Sequence, residues 1–298
     1  MARCFRRLFA LLAALVVTAL APGSARPSDI PNQVLQSFTF DLHSVDDDVD
    51  LYIGDPQSLF RMYLRPQASL PPNIEFSNTG QAGLLRVRDL SLFDEPPLPD
   101  DEFAAEEDLP IDEPAHHVVA QEWRLELNAS APASVVLHCE RGKARYDFTG
   151  IDVREVYLLA DTAQVRVDFD RPNRVTLERF KVTSHDGSLR LRNFLNARAR
   201  STTLSVGEAR CELDFTGEPS PGLLEVFVEG VAEAMKLTLR RDIALQVQGP
   251  SPNVLRFDRD DFERAGTGLQ TPHFADQACR LSLHFTHVIP KLEVEWVE

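Results

Sequence analysis

The chain has 298 residues, of which 43% are hydrophobic and 26% are charged, the balance of a globular protein rather than a disordered or collagen-like one. Its formal net charge of −15 repels phosphate groups, which argues against nucleic acid or anionic lipid as a partner. Four cysteines are too few for a disulfide scaffold.

The N-terminus has the layout of a secretory signal peptide. Arg3, Arg6 and Arg7 precede an uncharged stretch over residues 8–21, and small residues follow it. That stretch has 14 residues, fewer than the roughly 20 that a helix needs to cross a bilayer. We therefore predict a signal peptide over residues 1–25 with cleavage after Ala25, rather than a retained anchor. No transmembrane segment is expected after cleavage, so the mature protein would be periplasmic or extracellular.

Residues 26–92 are predicted to form an N-terminal β region. Several short runs alternate apolar and polar residues, as strands with one buried face do. Proline and glycine residues separate these runs, which lie at residues 38–42, 49–53, 60–64 and 84–92.

Residues 93–117 differ in composition from the rest of the chain. They contain ten acidic residues and five prolines but no lysine or arginine. Such a segment buries too little apolar surface to offset its ordering entropy. We predict a solvated linker or long loop; the alternative is a segment that binds divalent cations.

Residues 118–298 show one strand-like run after another. The sequence Arg145–Gly150 recurs as Glu212–Gly217, 67 residues later. The apolar residues of matching phase are spaced by 21, 22, 24 and 24 positions, at Phe148, Phe169, Leu191, Phe215 and Leu239. A repeat of this length in an all-β pattern predicts a single-stranded β-helix, in which each repeat is one rung and these residues form one buried column. The alternative is a β-sandwich of hairpins.

The outward neighbours of these residues would also form columns. One column would contain Asp147, Asp168, Arg190, Asp214 and Thr238, and the adjacent one Arg145, Arg166, Ser188, Glu212 and Lys236. Opposite charges on neighbouring strands would specify the register of a solvated face. The alternative is an enzymatic surface, because some β-helical polysaccharide lyases and hydrolases mount acids and a basic residue on one face. Its residues would be the surface ladder Asp147, Asp168, Arg190 and Asp214.

We predict no catalytic residue, no metal site and no cofactor. The acidic run at Asp46–Asp50 lacks the glycine and glutamate that a calcium loop needs at its sixth and twelfth positions, so we predict a solvated turn there. His284 and His287 would face opposite sides of a strand, and His116–His117 ends the acidic segment. The motifs of serine hydrolases, zinc proteases and phosphate-binding loops are absent from the sequence.

The three cysteines after the signal peptide share the phase of their apolar neighbours. Cys139, Cys211 and Cys279 are therefore predicted to point inward and to act as small hydrophobic residues. Their disulfide pairing, if any, stays open.

Short motifs resemble a known group of proteins. Leu213–Gly217, with Leu195–Arg198 and Ser205–Glu208 before it, resembles the toast-rack families of bacterial adhesin-like proteins and the C-terminal domain of LiaF-type cell-envelope stress proteins. Pro71–Phe76 with Gly83–Val87 resembles the N-terminal part of the same proteins. The resemblance covers most of residues 35–297.

The resemblance implies a β-helical toast-rack stack and a non-catalytic envelope protein. We expect an adhesin-like or scaffold protein that binds an envelope protein or polysaccharide through its sheet faces or edges. One alternative is a soluble regulator of cell-envelope stress signalling, because LiaF-type proteins restrain a sensor kinase. LiaF-type proteins carry membrane helices before this domain, whereas this chain has a signal peptide. A second alternative is a β-helical carbohydrate-active enzyme.

Overall fold

The computed structural model describes most of the chain outside its N-terminus and its acidic segment. The predicted signal peptide, apart from two of its residues, lies outside the described residues, as do residues 93–117 and His116–His117. The described ranges are 15–16, 28–31, 34–65, 71–89, 121–128, 131–249, 255–256, 262–287 and 291–298.

Short strands dominate the described residues. Two 3-10 helices occur among them, at Phe194–Ala197 and Phe274–Asp276. No helix in these ranges has the length and hydropathy that would take it across a membrane. In chain order the strands are β1 (Leu15–Val16), β2 (Ser28–Pro31), β3 (Ser37–Ser44), β4 (Asp48–Ile53), β5 (Ser58–Leu64), β6 (Asn73–Thr79), β7 (Ala82–Arg88), β8 (Glu122–Leu127), β9 (Ala133–Cys139), β10 (Lys143–Asp147), β11 (Val153–Ala160), β12 (Gln164–Asp168), β13 (Arg179–Ser184), β14 (Ser188–Arg192), β15 (Ser201–Val206), β16 (Arg210–Phe215), β17 (Gly222–Gly230), β18 (Ala234–Arg240), β19 (Ala244–Gln248), β20 (Leu255–Arg256), β21 (Glu263–Ala265), β22 (Gly268–Gln270), β23 (Cys279–Phe285) and β24 (Leu292–Val297).

The strands form two sheets, A and B, and successive strands in the middle of the chain alternate between them. Sheet A has the order β1-β6-β7-β3-β9-β11-β13-β15-β17-β23-β19-β22-β21, and sheet B the order β2-β5-β8-β4-β10-β12-β14-β16-β18-β24-β20. Each central strand pairs in parallel with the strand one rung away, as β9 does with β11 and β10 with β12. The predicted all-β stack of rungs is therefore confirmed. The sandwich of hairpins is wrong, because these strands have parallel rather than hairpin partners.

The order of the rungs is inverted at both ends of the stack. The rung β7/β8 lies outside β3/β4, although it follows β3/β4 in the chain. At the other end, β23/β24 lies between β17/β18 and β19/β20. Antiparallel strands β5, β6 and the hairpin β21–β22 pair beyond these rungs. Strands from both sides of the acidic segment thus build the same two sheets.

A ladder of phenylalanine rings fills the centre of the core. The ring centroids of Phe148 and Phe169 are 5.5 Å apart, those of Phe169 and Phe194 are 6.0 Å apart, and those of Phe194 and Phe215 are 5.8 Å apart. Leu239 continues this column, since it pairs with Phe215.

The predicted column placed Leu191 where Phe194 lies, and this assignment is wrong. Leu191 is buried, but it pairs with Val167 and Leu213 in the neighbouring column. Asn193 adopts a left-handed conformation with φ of 51°, and this lets the chain present Phe194 to the core. The residues of the buried column are therefore not evenly spaced in the sequence at this rung.

The repeated Asp-Phe-Thr-Gly motif forms the corner that follows a strand of sheet B, at the ends of β10 and β16. Asp214 Oδ1 accepts a hydrogen bond of 2.9 Å from the backbone N–H of Thr216, and Asp147 accepts the equivalent bond from Thr149 at 3.0 Å. Gly217 follows with φ of 109°, and a Cβ there would lie 2.7 Å from Oδ1 of the buried Asn196. The motif is thus an Asx turn closed by the one residue without a side chain.

The thiols are free among the described residues. Cys139 and Cys211 are buried as predicted, whereas Cys279 is half-buried. Burial raises the pKa of Cys139 to about 11 and that of Cys211 to about 12. Both thiols therefore stay protonated at neutral pH and act as core residues.

The phenylalanine ladder predicts a contrast between two identical substitutions. Phe169→Ala should lower the free energy of unfolding by about 3–5 kcal/mol, because it leaves a cavity inside a packed core. Phe227→Ala is the matched control, since Phe227 is 38% exposed on sheet A, and it should cost about 1 kcal/mol or less. Urea titration of both variants measures the difference; equal losses would contradict the ladder.

Candidate functional site

The outer face of sheet B carries the residues of the predicted surface ladder, but in a different register. Asp147 lies opposite Asp168, as expected. Arg192, not Arg190, is the next partner of Asp168, whereas Arg190 pairs with Arg166. The predicted position of Arg190 beside Asp168 is therefore wrong by two residues on β14.

The adjacent column shifts by the same two residues. Arg145, Arg166 and Arg190 lie side by side on β10, β12 and β14. Ser188, which was expected in this column, pairs with Gln164 and Arg210 instead. The column then continues to Glu212 and Lys236, as expected.

Asp168 lies beneath three guanidinium groups. Its carboxylate is 1% exposed, which corrects the expectation of a solvated side chain. Arg166 Nε lies 3.0 Å from Oδ1 and 2.7 Å from Oδ2, and Arg145 Nε lies 3.3 Å from Oδ2. The Nε atom of Arg192 is 3.9 Å from Oδ1. One buried carboxylate therefore holds three arginines together.

The other two acids of the predicted ladder serve the corners. Asp147 and Asp214 are half-buried and accept the turn N–H bonds described above. Asp214 lies opposite Thr238, as expected. The structure thus brings Asp147 and Asp168 together and leaves Asp214 apart from them.

We name the four side chains Arg145, Arg166, Arg190 and Arg192 the arginine patch. Like charges on directly opposed residues of a sheet repel one another, so this arrangement carries an electrostatic cost. Asp168 offsets part of it, and Arg190 contacts Glu212 at 2.6 Å. Within 4 Å, the four guanidinium groups contact two carboxylates, those of Asp168 and Glu212. Two more carboxylates lie on the same face, because Asp50 is in register with Arg145 and Asp147 with Asp168. The guanidinium N–H groups that these contacts leave over are the groups of this face that can bind an anion.

The patch lies on an open sheet face. Cavities of about 260 Å³ occur elsewhere, one beside Ile243 and Trp296 and one beside Phe194 and Pro219. Neither cavity is lined by a residue of the arginine patch. The patch therefore suits a ligand that lies along a surface.

A strongly perturbed carboxyl group lies at the turn between β3 and β4. Asp47 is buried, as is Asp89. Burial, followed by the negative charge of Asp89, raises the pKa of Asp47 to about 8. Asp47 belongs to the acidic run that was predicted to be a solvated turn, so that expectation is wrong for this residue.

Two features of the surface were missed in the sequence. Arg192 lies two residues after Arg190, and this spacing already placed both on one face. His43 and His138 are in register on β3 and β9. The two histidines are 95 residues apart and meet only because β3 pairs with β9. No local sequence pattern predicts that pairing.

No known protein family matches this sequence, and no curated protein matches it either. Among solved structures, the crystal structure of a "putative cell adhesion protein" from Clostridium sporogenes ATCC 15579 is similar, with a TM-score of 0.40 and 11% sequence identity. The alignment covers 91% of this chain and 98% of that chain. The fold assignment rests on the strand pairing and not on this distant similarity.

The arginine patch predicts that Asp168 contributes to stability through its charge. Asp168→Asn should lower the free energy of unfolding by about 2–3 kcal/mol, because three guanidinium groups then face one another without their shared carboxylate. The loss should shrink at high salt, since counterions screen that repulsion. Asp147→Asn is the control and should cost less than about 1 kcal/mol, because an amide oxygen still accepts the N–H of Thr149. Chemical denaturation at two salt concentrations measures both, and a salt-independent loss would contradict the electrostatic cause.

The raised pKa of Asp47 predicts a pH-dependent stability. In the unfolded chain this group titrates near its ordinary pKa of 3.8, whereas in the folded protein it keeps its proton up to about pH 8. Its favourable contribution is therefore complete below pH 3.8 and is lost as the pH rises to about 8. Asp47→Asn should be more stable than the native protein at pH 8 by about 2 kcal/mol or more and nearly equal to it at acidic pH. Thermal unfolding across this range tests it with the exposed Asp186→Asn as control; parallel profiles for Asp47→Asn and the native protein would contradict the assignment.

Proposed function

We propose that this chain is an exported, non-catalytic envelope protein of adhesin or scaffold type, which binds an acidic polysaccharide on the outer face of sheet B. The observation that carries the proposal is the arginine patch, in which four outward guanidinium groups on three adjacent strands exceed the carboxylates that contact them. Export rests on the N-terminal sequence alone.

The chemistry of the patch favours carboxylate or sulfate groups as its ligands. A guanidinium has about five N–H donors in a planar fork, whereas a carboxylate accepts about four hydrogen bonds. Arg145, Arg166 and Arg192 share the single carboxylate of Asp168, so donors remain for an external anion.

The geometry of the patch favours a polymer. Neighbouring strands lie about 4.8 Å apart, so Arg145, Arg166 and Arg190 follow one another at that interval over three strands. An extended chain with regularly spaced anionic groups matches such a row, and an open sheet face lets the chain lie flat.

The acids of the enzymatic alternative are engaged in structural contacts. Asp168 is held by arginines, and Asp147 and Asp214 accept turn N–H groups. These contacts explain the three carboxylates without catalysis, which is why we favour binding.

Binding of polygalacturonate to the purified protein tests the proposal. Arg190→Gln/Arg192→Gln should weaken binding by about tenfold or more, since each lost charge-assisted contact contributes more than about 1.4 kcal/mol. Binding should also weaken as sodium chloride is raised, because ion pairs on an open face are screened.

The matched control is Arg179→Gln/Arg200→Gln, which removes two exposed arginines from the other side of the rungs. It should leave the affinity within about twofold, less than a single typical charged contact contributes. The proposal fails if a neutral glucan binds as tightly as polygalacturonate, or if the control loses as much affinity as the patch variant.

A further inference from the structure

Sheet A carries a cluster of imidazole and carboxylate groups at the end of its N-terminal strands. His43 near the end of β3 is in register with His138 on β9. Their rings stack with centroids 4.1 Å apart and planes 13° apart. Glu140, the residue after β9, places Oε1 3.1 Å from Nε2 of His43.

Because side chains alternate along a strand, these three side chains lie together on the outer face of sheet A. His138 and Glu140 are two residues apart and share a side, whereas Cys139 between them is buried. The side chains of His43, His138 and Glu140 are 23%, 26% and 30% exposed. They are therefore held by their neighbours and still accessible from solvent.

A second layer of polar contacts surrounds the cluster. Asp161, at the end of β11, lies 3.3 Å from Nε2 of His138 through Oδ2 and 2.8 Å from Nδ1 of His185 through Oδ1. A carboxylate that bonds the free nitrogen of a ligating histidine orients its ring and is typical of metal sites. Asp161 holds Nε2 of His138 from one rung away, which leaves Nδ1 of that ring as the nitrogen for an ion.

We propose that His43, His138 and Glu140 form a site for a divalent transition-metal ion, with Zn²⁺ as the best match. Two imidazoles and one carboxylate are a known set of three protein ligands for zinc, which leaves its fourth position open to water or another ligand. Hard cations such as Ca²⁺ prefer an all-oxygen set, so the imidazoles select against them.

The distances allow the site to close around an ion. One ligand atom from each of the three residues lies within 4.8 Å of the others. Two ligands on a tetrahedral zinc ion are about 3.4 Å apart, given zinc–ligand bonds of about 2.0–2.1 Å. Lone pairs in the planes of two parallel rings do not converge on one ion, so both imidazoles must rotate out of their stack on fixed strands to bind it. The bound ion would then join β3 to β9, two strands on opposite sides of the acidic segment in the chain.

Calorimetric titration of the full chain with Zn²⁺ tests the site. We expect one tight equivalent, and a rise in the unfolding temperature when zinc is added, because an ion that binds only the folded state stabilises it. His43→Gln and His138→Gln should each weaken binding by about tenfold or more and abolish the rise in temperature. Glu140→Gln, which preserves size and shape, should also weaken binding.

Two control variants separate this site from binding elsewhere. His273→Gln changes an exposed histidine outside the cluster and should keep the zinc affinity of the native protein. His116→Gln/His117→Gln should keep it as well. Absence of tight zinc binding by the native protein, or loss of binding in either control equal to that in His138→Gln, would overturn the proposal. Circular dichroism of each variant verifies that it is folded.

Discussion

Parallel pairing between strands one rung apart is the constraint on which this structure depends. Because residues of equivalent position meet in register, each rung repeats the environment of the one before it. Inside the stack this brings ring against ring, from Phe148 to Phe215. Outside it, the same rule brings arginine against arginine and histidine against histidine. Favourable core contacts and unfavourable charge contacts thus have a common geometric origin.

The two functional surfaces differ in how they resolve these outward contacts. On sheet B, Asp168 lies under the guanidinium groups and offsets part of their repulsion, which leaves guanidinium donors at the surface. On sheet A, the stacked rings of His43 and His138 each contact a carboxylate, from Glu140 and Asp161 respectively. A neutral imidazole can bind a metal ion through a ring nitrogen, whereas a guanidinium keeps its positive charge and attracts anions instead. The first surface is therefore suited to anions and the second to a metal ion.

The sequence allowed the strands, their phase and the stacked architecture to be predicted, because apolar alternation and a repeat of about two dozen residues are local signals. The register of β14 was not predictable from spacing. Paired residues of β12 and β14, such as Gln164 and Ser188, are 24 positions apart, whereas those of β10 and β12, such as Lys143 and Gln164, are 21 apart. The longer connection between β12 and β14 moved Arg190 and Ser188 by two positions. The inverted rung order and the contact between His43 and His138 depend on pairings between distant segments, for which the local pattern carries no information. Arg145, Arg166 and Arg192 together surround Asp168, and only the correct register places Arg192 among them.

The two surfaces share rungs, and this links their geometry. The rung β9/β10 contributes His138 to one face and Arg145 to the other, and between them lie the buried side chains of Cys139 and Tyr146. Facing sheets pack about 10 Å apart, and a close-packed interior transmits displacement rather than absorbing it. A site built on regular strands is also held more precisely than one built on loops. An ion that drew β3 toward β9 would therefore act on the same packed layer that supports the first residues of the arginine patch. This coupling follows from the stacking itself, because the strands of both sheets contribute their inward side chains to one continuous core.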